Sequence, residues 1–314
     1  MLSSSVMRTR FIPLIGLGLT FSACGCFKPV LTATDVVVRP NGTVQLVAFM
    51  ENATLPGIHN SIRAQRVRFY SGGTTLWHAR SGEEGCTTLD CRLPDDAPTY
   101  TARARFLLIQ FESTGRVFRW RNDRTIIVVD IDDTICDTDT DEVIFQKRDL
   151  ESSPISRSKP VLTKLAESFH IAYLTARPVA LFSKTIHWLD DHTFPPGPVF
   201  VAPDLKRMIR QRKYKTEALK RLRADWPNIR VGIGDSEVDA RAYGENRMVT
   251  LIVGEKTDKD FGRRAIVLPD WSAVEKFFEQ NADLLADPAQ LGRTLDQGGS
   301  FMVPYDAPRS RDGD

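Results

Sequence analysis

The sequence has almost no net charge, few cysteines, no internal repeat and no apolar stretch long enough to cross a bilayer comfortably. Its 42 Lys and Arg against 40 Asp and Glu leave a formal charge of +2. Bulk electrostatics therefore gives no reason to expect a nucleic-acid partner. Five cysteines in 314 residues fit an oxidising compartment only loosely. Cys86 and Cys91, in a turn-like stretch, are close enough in sequence to close a small disulfide loop, with two free thiols as the equal alternative. Cys136 has no His or basic neighbour in sequence and reads as a small packing residue, not a nucleophile. The apolar run Phe11–Ala23 is shorter than the roughly 20 residues a spanning helix needs.

That run is nevertheless placed like an export signal. Arg8 and Arg10 precede it, small residues Ser22, Ala23 and Cys24 follow, and a signal peptide over residues 1–26 is expected. Phe21-Ser-Ala-Cys24 is similar to a bacterial lipoprotein cleavage box, in which Cys24 becomes the lipidated N-terminus. Plain secretion and an uncleaved anchor are the other readings. The expected location is the bacterial periplasm or a membrane-anchored lipoprotein, otherwise the exterior.

The length exceeds that of one ordinary domain. Residues 30–121 carry short runs rich in Val, Thr and aromatics: Asp35–Val38, Val44–Phe49, Val67–Tyr70, Thr75–His78 and Tyr100–Phe106. Asn41-Gly42, Gly72-Gly73 and Leu93-Pro-Asp-Asp96 punctuate them as turns, which predicts a small all-β sandwich. Val67–Phe106 resembles immunoglobulin-like or transthyretin-like modules. From Thr125 the pattern changes to apolar strands (Thr125–Ile131, Ile171–Leu174, Val199–Val201, Ile229–Ile233, Val249–Val253). Helical stretches lie between them at Pro160–Phe169, Pro178–Asp190 and Thr216–Trp226. Such alternation predicts a parallel α/β sheet with helices on both faces over residues 123–286. Ser272–Leu285 reads as a last amphipathic helix, and 287–314 as a disordered polar tail.

Four motifs carry chemistry. In Val128-Val-Asp-Ile-Asp-Asp-Thr134, Asp130 and Asp132 follow a strand end, where ligands of α/β sheets bind. Two carboxylates beside a phosphate repel one another, and a hard divalent cation such as Mg²⁺ relieves this. One carboxylate can then attack phosphorus and the other can move a proton. A calcium loop fits poorly, since Ile135 occupies the obligatory glycine position and a strand precedes. A solvated acidic turn is the bland alternative. In Ile171-Ala-Tyr-Leu-Thr-Ala-Arg-Pro178, Thr175 ends a strand before a helix and suits a phosphate oxygen, or else simply caps the helix. The basic run Lys206–Arg223 offers a lysine to neutralise a nucleophile–phosphate pair: Lys215, with Lys213 as runner-up. Most of its other charges read as a solvated helical face. In Val231-Gly-Ile-Gly-Asp-Ser-Glu-Val-Asp239, Asp235 can complete a metal site. Asp239 can bond Lys215 or a metal-bound water.

Acid pair, hydroxyl, lysine and acid pair, each near a strand end, resemble the ordered signature of the haloacid dehalogenase superfamily of phosphohydrolases over residues 125–254. The resemblance implies a Rossmann-type parallel sheet with Asp130 as nucleophile and Asp132 as acid/base. It also implies Thr175 and Lys215 as phosphate binders, and Mg²⁺ on Asp130, Asp235 and the Asp132 backbone carbonyl. The intervals between motifs leave room for no more than a short flap, at Cys136–Arg148, so an open site for a bulky substrate is expected. Asp-Ile-Asp-Asp-Thr-Ile, Tyr-Leu-Thr-Ala-Arg-Pro, Pro196-Gly-Pro-Val199 and Gly-Asp-Ser with Tyr243 look similar to lipin-type and fungal actin-patch phosphatidate phosphatases. That resemblance implies phosphatidate as substrate, giving diacylglycerol and phosphate, and an anionic phospholipid surface as partner, with no nucleic acid. The alternatives are an exported phosphatase for nucleotide, protein or other phosphomonoesters, and a binding protein that works through its β-domain.

Overall fold

Alternating buried and exposed residues build the first part of the chain as strands. The computed structural model describes residues 28–304 apart from 56–57, 138–151, 205–206, 209, 255–260 and 262–264. The residue 1–26 signal, residues 138–148 of the expected flap, Lys206 and the last residues of the tail lie outside the described residues. The strands up to Phe118 are β1 (Pro29–Ala33), β2 (Val36–Val37), β3 (Val44–Leu55), β4 (Ile58–Ser61), β5 (Arg66–Ser71), β6 (Thr74–Arg80), β7 (Cys86–Cys91), β8 (Thr99–Phe106) and β9 (Ile109–Phe118). The long β3 pairs with β1 along one edge and with β4 and β7 along the other. A second sheet runs β2-β9-β8-β5-β6. Leu46, Ala48 and Met50 of the first sheet share a core with Val67, Phe69 and Ala102 of the second. The buried Tyr100 crosses this core, and its hydroxyl donates to the Thr34 carbonyl at 2.8 Å.

Cys86 and Cys91 stand at opposite ends of β7. An extended strand advances about 3.3 Å per residue, which carries the two Cα atoms beyond disulfide reach. Both are free thiols, and the disulfide loop considered from the sequence is excluded.

The second part is a six-stranded, all-parallel sheet in the order β12-β11-β10-β13-β14-β15. Its elements are β10 (Ile126–Val129), α1 (Ser158–Ala166), β11 (His170–Pro178), α2 (Phe182–Asp191), β12 (Val199–Ala202), α3 (Gln211–Asp225), β13 (Ile229–Gly234), α4 (Glu237–Glu245), β14 (Val249–Val253), β15 (Ala265–Leu268) and α5 (Trp271–Gln280). All four β10 residues are buried, as expected for a strand covered on both faces. Ile127 and Val129 pack with Val161, Trp188 and Phe277 of α1, α2 and α5. Ile126 and Val128 pack with Leu219 and Tyr243 of α3 and α4. Strand β15, the apolar run Ala265-Ile-Val-Leu268, extends the sheet by one strand beyond those read from the sequence. No helix among the described residues is long and apolar enough to cross a membrane.

The tail departs from expectation. After α6 (Ala282–Ala286), helix α7 (Pro288–Asp296) begins inside the segment read as disordered. The Asp287 side chain accepts from the Ala289 and Gln290 N–H groups at 2.9 Å, and Pro288 takes the first helical turn. This is standard start chemistry for a helix. Leu291 is fully buried against the sheet's core, which supplies the apolar contact that a disordered tail lacks.

Asp35, whose side chain is 1% exposed, joins the two parts. It accepts from Arg116 Nε at 3.0 Å and Nη2 at 2.7 Å, and from the Val199 N–H at 2.9 Å. Breaking such a buried pair by removing one partner costs about 3 kcal/mol, since the other charge is left uncompensated. Asp35→Ala is expected to lower unfolding stability in urea by about that amount, with Asp35→Asn in between. An alanine variant as stable as the wild type would show that the junction is held elsewhere.

Candidate functional site

The parallel register brings the sequence motifs together. Val129 of the central strand β10 lies level with Tyr173 of β11 and Ile233 of β13. One residue further on, the Asp130 N–H donates to the Ile233 carbonyl at 2.9 Å. Asp130, Thr175 and Asp235 therefore emerge at the same end of three adjacent strands. Beyond Asp130 the chain turns: the N–H groups of Ile135 and Cys136 both bond the Ile131 carbonyl at 3.0 Å, and Asp133 takes φ 55. Aspartate tolerates that left-handed state better than most residues. Asp132, two residues on, keeps to the side of Asp130, and the tight turn stops the chain from running on past the site. Trp271, fully buried at the start of α5, locks the turn by donating its indole N–H to the Thr134 carbonyl at 2.9 Å.

Lys215 is the hub. Helix α3 starts at Gln211, five residues before the start at Thr216 read from sequence, so Lys215 sits inside it on the buried face with Tyr214 and Ala218. Its ammonium, 3% exposed, lies 2.8 Å from Asp130 Oδ1 and donates to Asp239 Oδ1 at 2.6 Å. Burial alone would lower its pKa, but the two facing carboxylates override that and raise it. Lys213, the runner-up, points to solvent and lies near Glu217 at 3.8 Å.

Asp239 is held from its own helix as well. Ser236 caps α4, accepting from the Asp239 N–H at 3.3 Å and donating its hydroxyl to Asp239 Oδ2 at 2.5 Å. Ser236 thus caps the helix and orients the Asp239 carboxylate at once. Gly234 is required by the same packing, because a Cβ there would come within 2.5 Å of the Asp239 Cβ.

The carboxylate oxygens of Asp130, Asp235 and Asp239 lie within 4.8 Å of one another, and all three residues are buried. Three carboxylates against one ammonium leave two net negative charges, the charge a divalent cation neutralises. Burial pushes the Asp130 carboxyl well above its ordinary range, opposed by Lys215 and reinforced by the charges of Asp239 and Asp132. The donors are hard oxygens, which suit Mg²⁺ or Ca²⁺ rather than a soft ion. Both Asp239 oxygens are engaged, Oδ1 by Lys215 and Oδ2 by Ser236. Thr134 Oγ1 approaches Asp235 Oδ1 at 3.5 Å.

Asp132 occupies a different setting. Its side chain is 34% exposed, and Arg177 grips it through Nη2–Oδ1 at 2.7 Å and Nε–Oδ1 at 3.0 Å. Thr175 Oγ1 donates to Asp132 Oδ2 at 3.0 Å and accepts from the Arg177 N–H at 3.1 Å. Burial would raise the Asp132 pKa, but Arg177 and Thr175 more than offset this and leave it lowered. Thr175 does not cap a helix as considered from sequence. Strand β11 continues through Pro178, a short 3₁₀ turn follows at Val179–Leu181, and α2 starts only at Phe182. Arg177 was the residue missed. It lies two positions beyond Thr175 in a strand with alternating sides, so it shares the threonine's face. Cys136 is buried beside it, with Arg177 Nη2 at 3.8 Å from the sulfur, consistent with a packing role.

The LNS2 (Lipin/Ned1/Smp2) family model matches residues 96–251, from β8 of the sandwich to β14. No curated protein matches the chain. Among solved structures, the M1 domain of titin is 19% identical and covers 29% of this chain and 94% of its own, at TM-score 0.22. A structure of titin kinase with its flanking domains is 19% identical over 29% of this chain and 17% of its own, at TM-score 0.21. A carbohydrate acetylesterase from Xanthomonas citri is 10% identical over 82% of this chain and 75% of its own, at TM-score 0.29. Superpositions this poor carry no argument about fold or function.

The charge count makes a prediction. Millimolar Mg²⁺ is expected to raise the thermal midpoint of the wild type by a few degrees, because a ligand bound only to the folded state stabilises it by mass action. Asp235→Asn should remove that response. A midpoint indifferent to divalent cations in the wild type would count against a metal between these carboxylates.

Proposed function

Because residues 96–251 belong to the LNS2 (Lipin/Ned1/Smp2) family, a haloacid-dehalogenase-like phosphatidate phosphatase domain, we propose that this chain is a Mg²⁺-dependent phosphomonoester hydrolase acting through an aspartyl-phosphate. The carrying observation is the buried Asp130–Lys215–Asp239 cluster with Asp235 beside it. A bound Mg²⁺ would be held by Asp130 and Asp235 with the Asp132 carbonyl, and would supply charge neutralisation for the incoming phosphate. Asp130 then attacks phosphorus, forming an Asp–O–P bond as the ester P–O bond breaks. Asp132 gives its proton to the leaving alkoxide, then takes one from the water that attacks the aspartyl-phosphate. That second attack breaks the Asp–O–P bond and returns Asp130 as a carboxylate with free phosphate.

Lys215 balances charge across both steps, held on line by Asp239 so that it does not have to reorganise as charge develops. Arg177 fixes the carboxyl plane of Asp132 and favours its ionised form, the form that takes a proton from the attacking water. Thr175 donates to the same carboxylate and stands at the strand end where a phosphate oxygen would enter. The short intervals between motifs leave little chain for a cap, which favours a bulky substrate. The resemblance of Asp130–Ile135, Tyr173–Pro178 and Gly234–Ser236 to lipin-type enzymes supports phosphatidate, giving diacylglycerol and phosphate. We read the sandwich as an immunoglobulin-like companion to this catalytic domain, and residues 1–26 as an export signal.

The test is phosphate release from phosphatidate and from a generic aryl phosphate, with Mg²⁺ or EDTA. EDTA is expected to abolish turnover, and Asp130→Asn to lower kcat by about 10³-fold or more. Arg177→Ala is expected to lower kcat by about 10²-fold by loosening Asp132. Turnover that survives both EDTA and Asp130→Asn would sink the mechanism, while activity confined to the aryl phosphate would keep the reaction and remove the lipid.

A further inference from the structure

The outer face of the five-stranded sheet carries rows of arginine beside an apolar tip. Strand β5 turns Val67 and Phe69 into the core and so presents Arg66 and Arg68 to solvent. The register sets Arg66 against Arg80 and Arg68 against Arg103, and Arg105 follows Arg103 on the same face of β8. Glu112 lies opposite Arg103 and pairs with it at 2.6 Å. The other arginines of these rows have no carboxylate opposite them in the register.

At the end of those rows, β8 and β9 are joined by Leu107 and Leu108 alone, since Phe106 already pairs with Ile109. Leu107 is 65% exposed, Leu108 86% and Ile109 60%. Leu107 also adopts φ 54, a state that two-residue hairpin loops ordinarily fill with asparagine or glycine. A pair of leucines there is unfavourable twice over, by hydration of apolar surface and by backbone strain. The core does not use them, because their side chains lie outside it.

We propose that this face docks on a bilayer containing anionic phospholipid, with Leu107, Leu108 and Ile109 entering the interface and the arginine rows meeting head groups. The inference rests on residues remote in sequence from the catalytic motifs and stands apart from the phosphatase reading. Apolar side chains gain by leaving water at the acyl boundary, and surface arginines gain from anionic head groups. Guanidinium groups also pair with phosphate in bidentate fashion. A soluble polyanion would satisfy the arginines but leave the leucines in water, so a bilayer is the partner that uses both features.

The experiment is co-sedimentation of the full chain with vesicles of phosphatidylcholine, with and without phosphatidylglycerol. Leu107→Gly/Leu108→Asn is the informative variant, because only Leu107 has a positive φ and a Gly at the first loop position suits such a turn and preserves folding. It is expected to keep or raise the thermal midpoint while lowering the partition coefficient about tenfold. Arg66→Glu/Arg105→Glu should lower it about tenfold on phosphatidylglycerol vesicles only, with weaker dependence on salt. Any contribution of Phe11–Ala23 is common to every variant, so a second readout locates the tip itself. Leu108→Trp fluorescence should be quenched by brominated lipid beyond the wild type's tryptophans. No added quenching, with unchanged binding by the Gly-Asn variant, overturns the proposal. Binding to heparin without binding to vesicles assigns the face to a soluble polyanion and overturns it as well.

Discussion

Everything at the strand ends is arranged around one buried ammonium. Lys215 lies within ion-pair distance of both Asp130 and Asp239, and neither carboxylate could remain charged at this depth without it. A buried ion group is stable only when its geometry is fixed from every side. That requirement explains much of the surrounding sequence. Helix α3 must begin early enough to bury residue 215, Ser236 must cap α4 to aim Asp239, and residue 234 must lack a side chain so the two can approach. The cluster still carries an excess of negative charge. That excess is what a divalent cation would neutralise.

Asp130 and Asp132 are two residues apart but work in opposite surroundings. Asp130 is buried among like charges, with its pKa raised by burial. Asp132 is partly exposed and clasped by Arg177, with its pKa lowered. A nucleophile must be ionised, so the raised Asp130 pKa is what Lys215 and a bound cation would have to offset. The family match begins at residue 96, inside the sandwich, and the buried Asp35–Arg116 pair reaches from that sandwich to Val199 beside β11. Strands β8 and β9 are thus covalently and sterically part of the unit that carries the site.

The α/β layer was legible because its strands are continuously apolar and its motifs fall at their ends, as in Ile126–Val129 followed by Asp130. Lys215 was harder to separate from Lys213 by sequence, since a helix that starts five residues earlier turns a different side inward. Arg177 was invisible to motif order because its role depends on the strand continuing past Thr175, which Pro178 argued against. Helix α7 was missed for a related reason. Asp287-Pro288 is a start signal, but glycines and charges downstream masked the one buried leucine that anchors it. Each miss concerns a boundary, and boundaries are set by tertiary contacts that no local pattern contains.

A net charge of +2 gave no hint of how strongly charge is segregated. The carboxylates gather in the pocket, and arginines gather on the outer face of β5 and β8. At physiological salt the Debye length is about 8 Å, so each cluster acts on what is adjacent to it and the sum over the chain acts on nothing. Near-neutrality over the whole chain thus coexists with two local fields of opposite sign. One favours a cation and the phosphate that follows it. The other favours an anionic surface, and the exposed leucines at its edge give that surface an apolar depth that a soluble polyanion does not have.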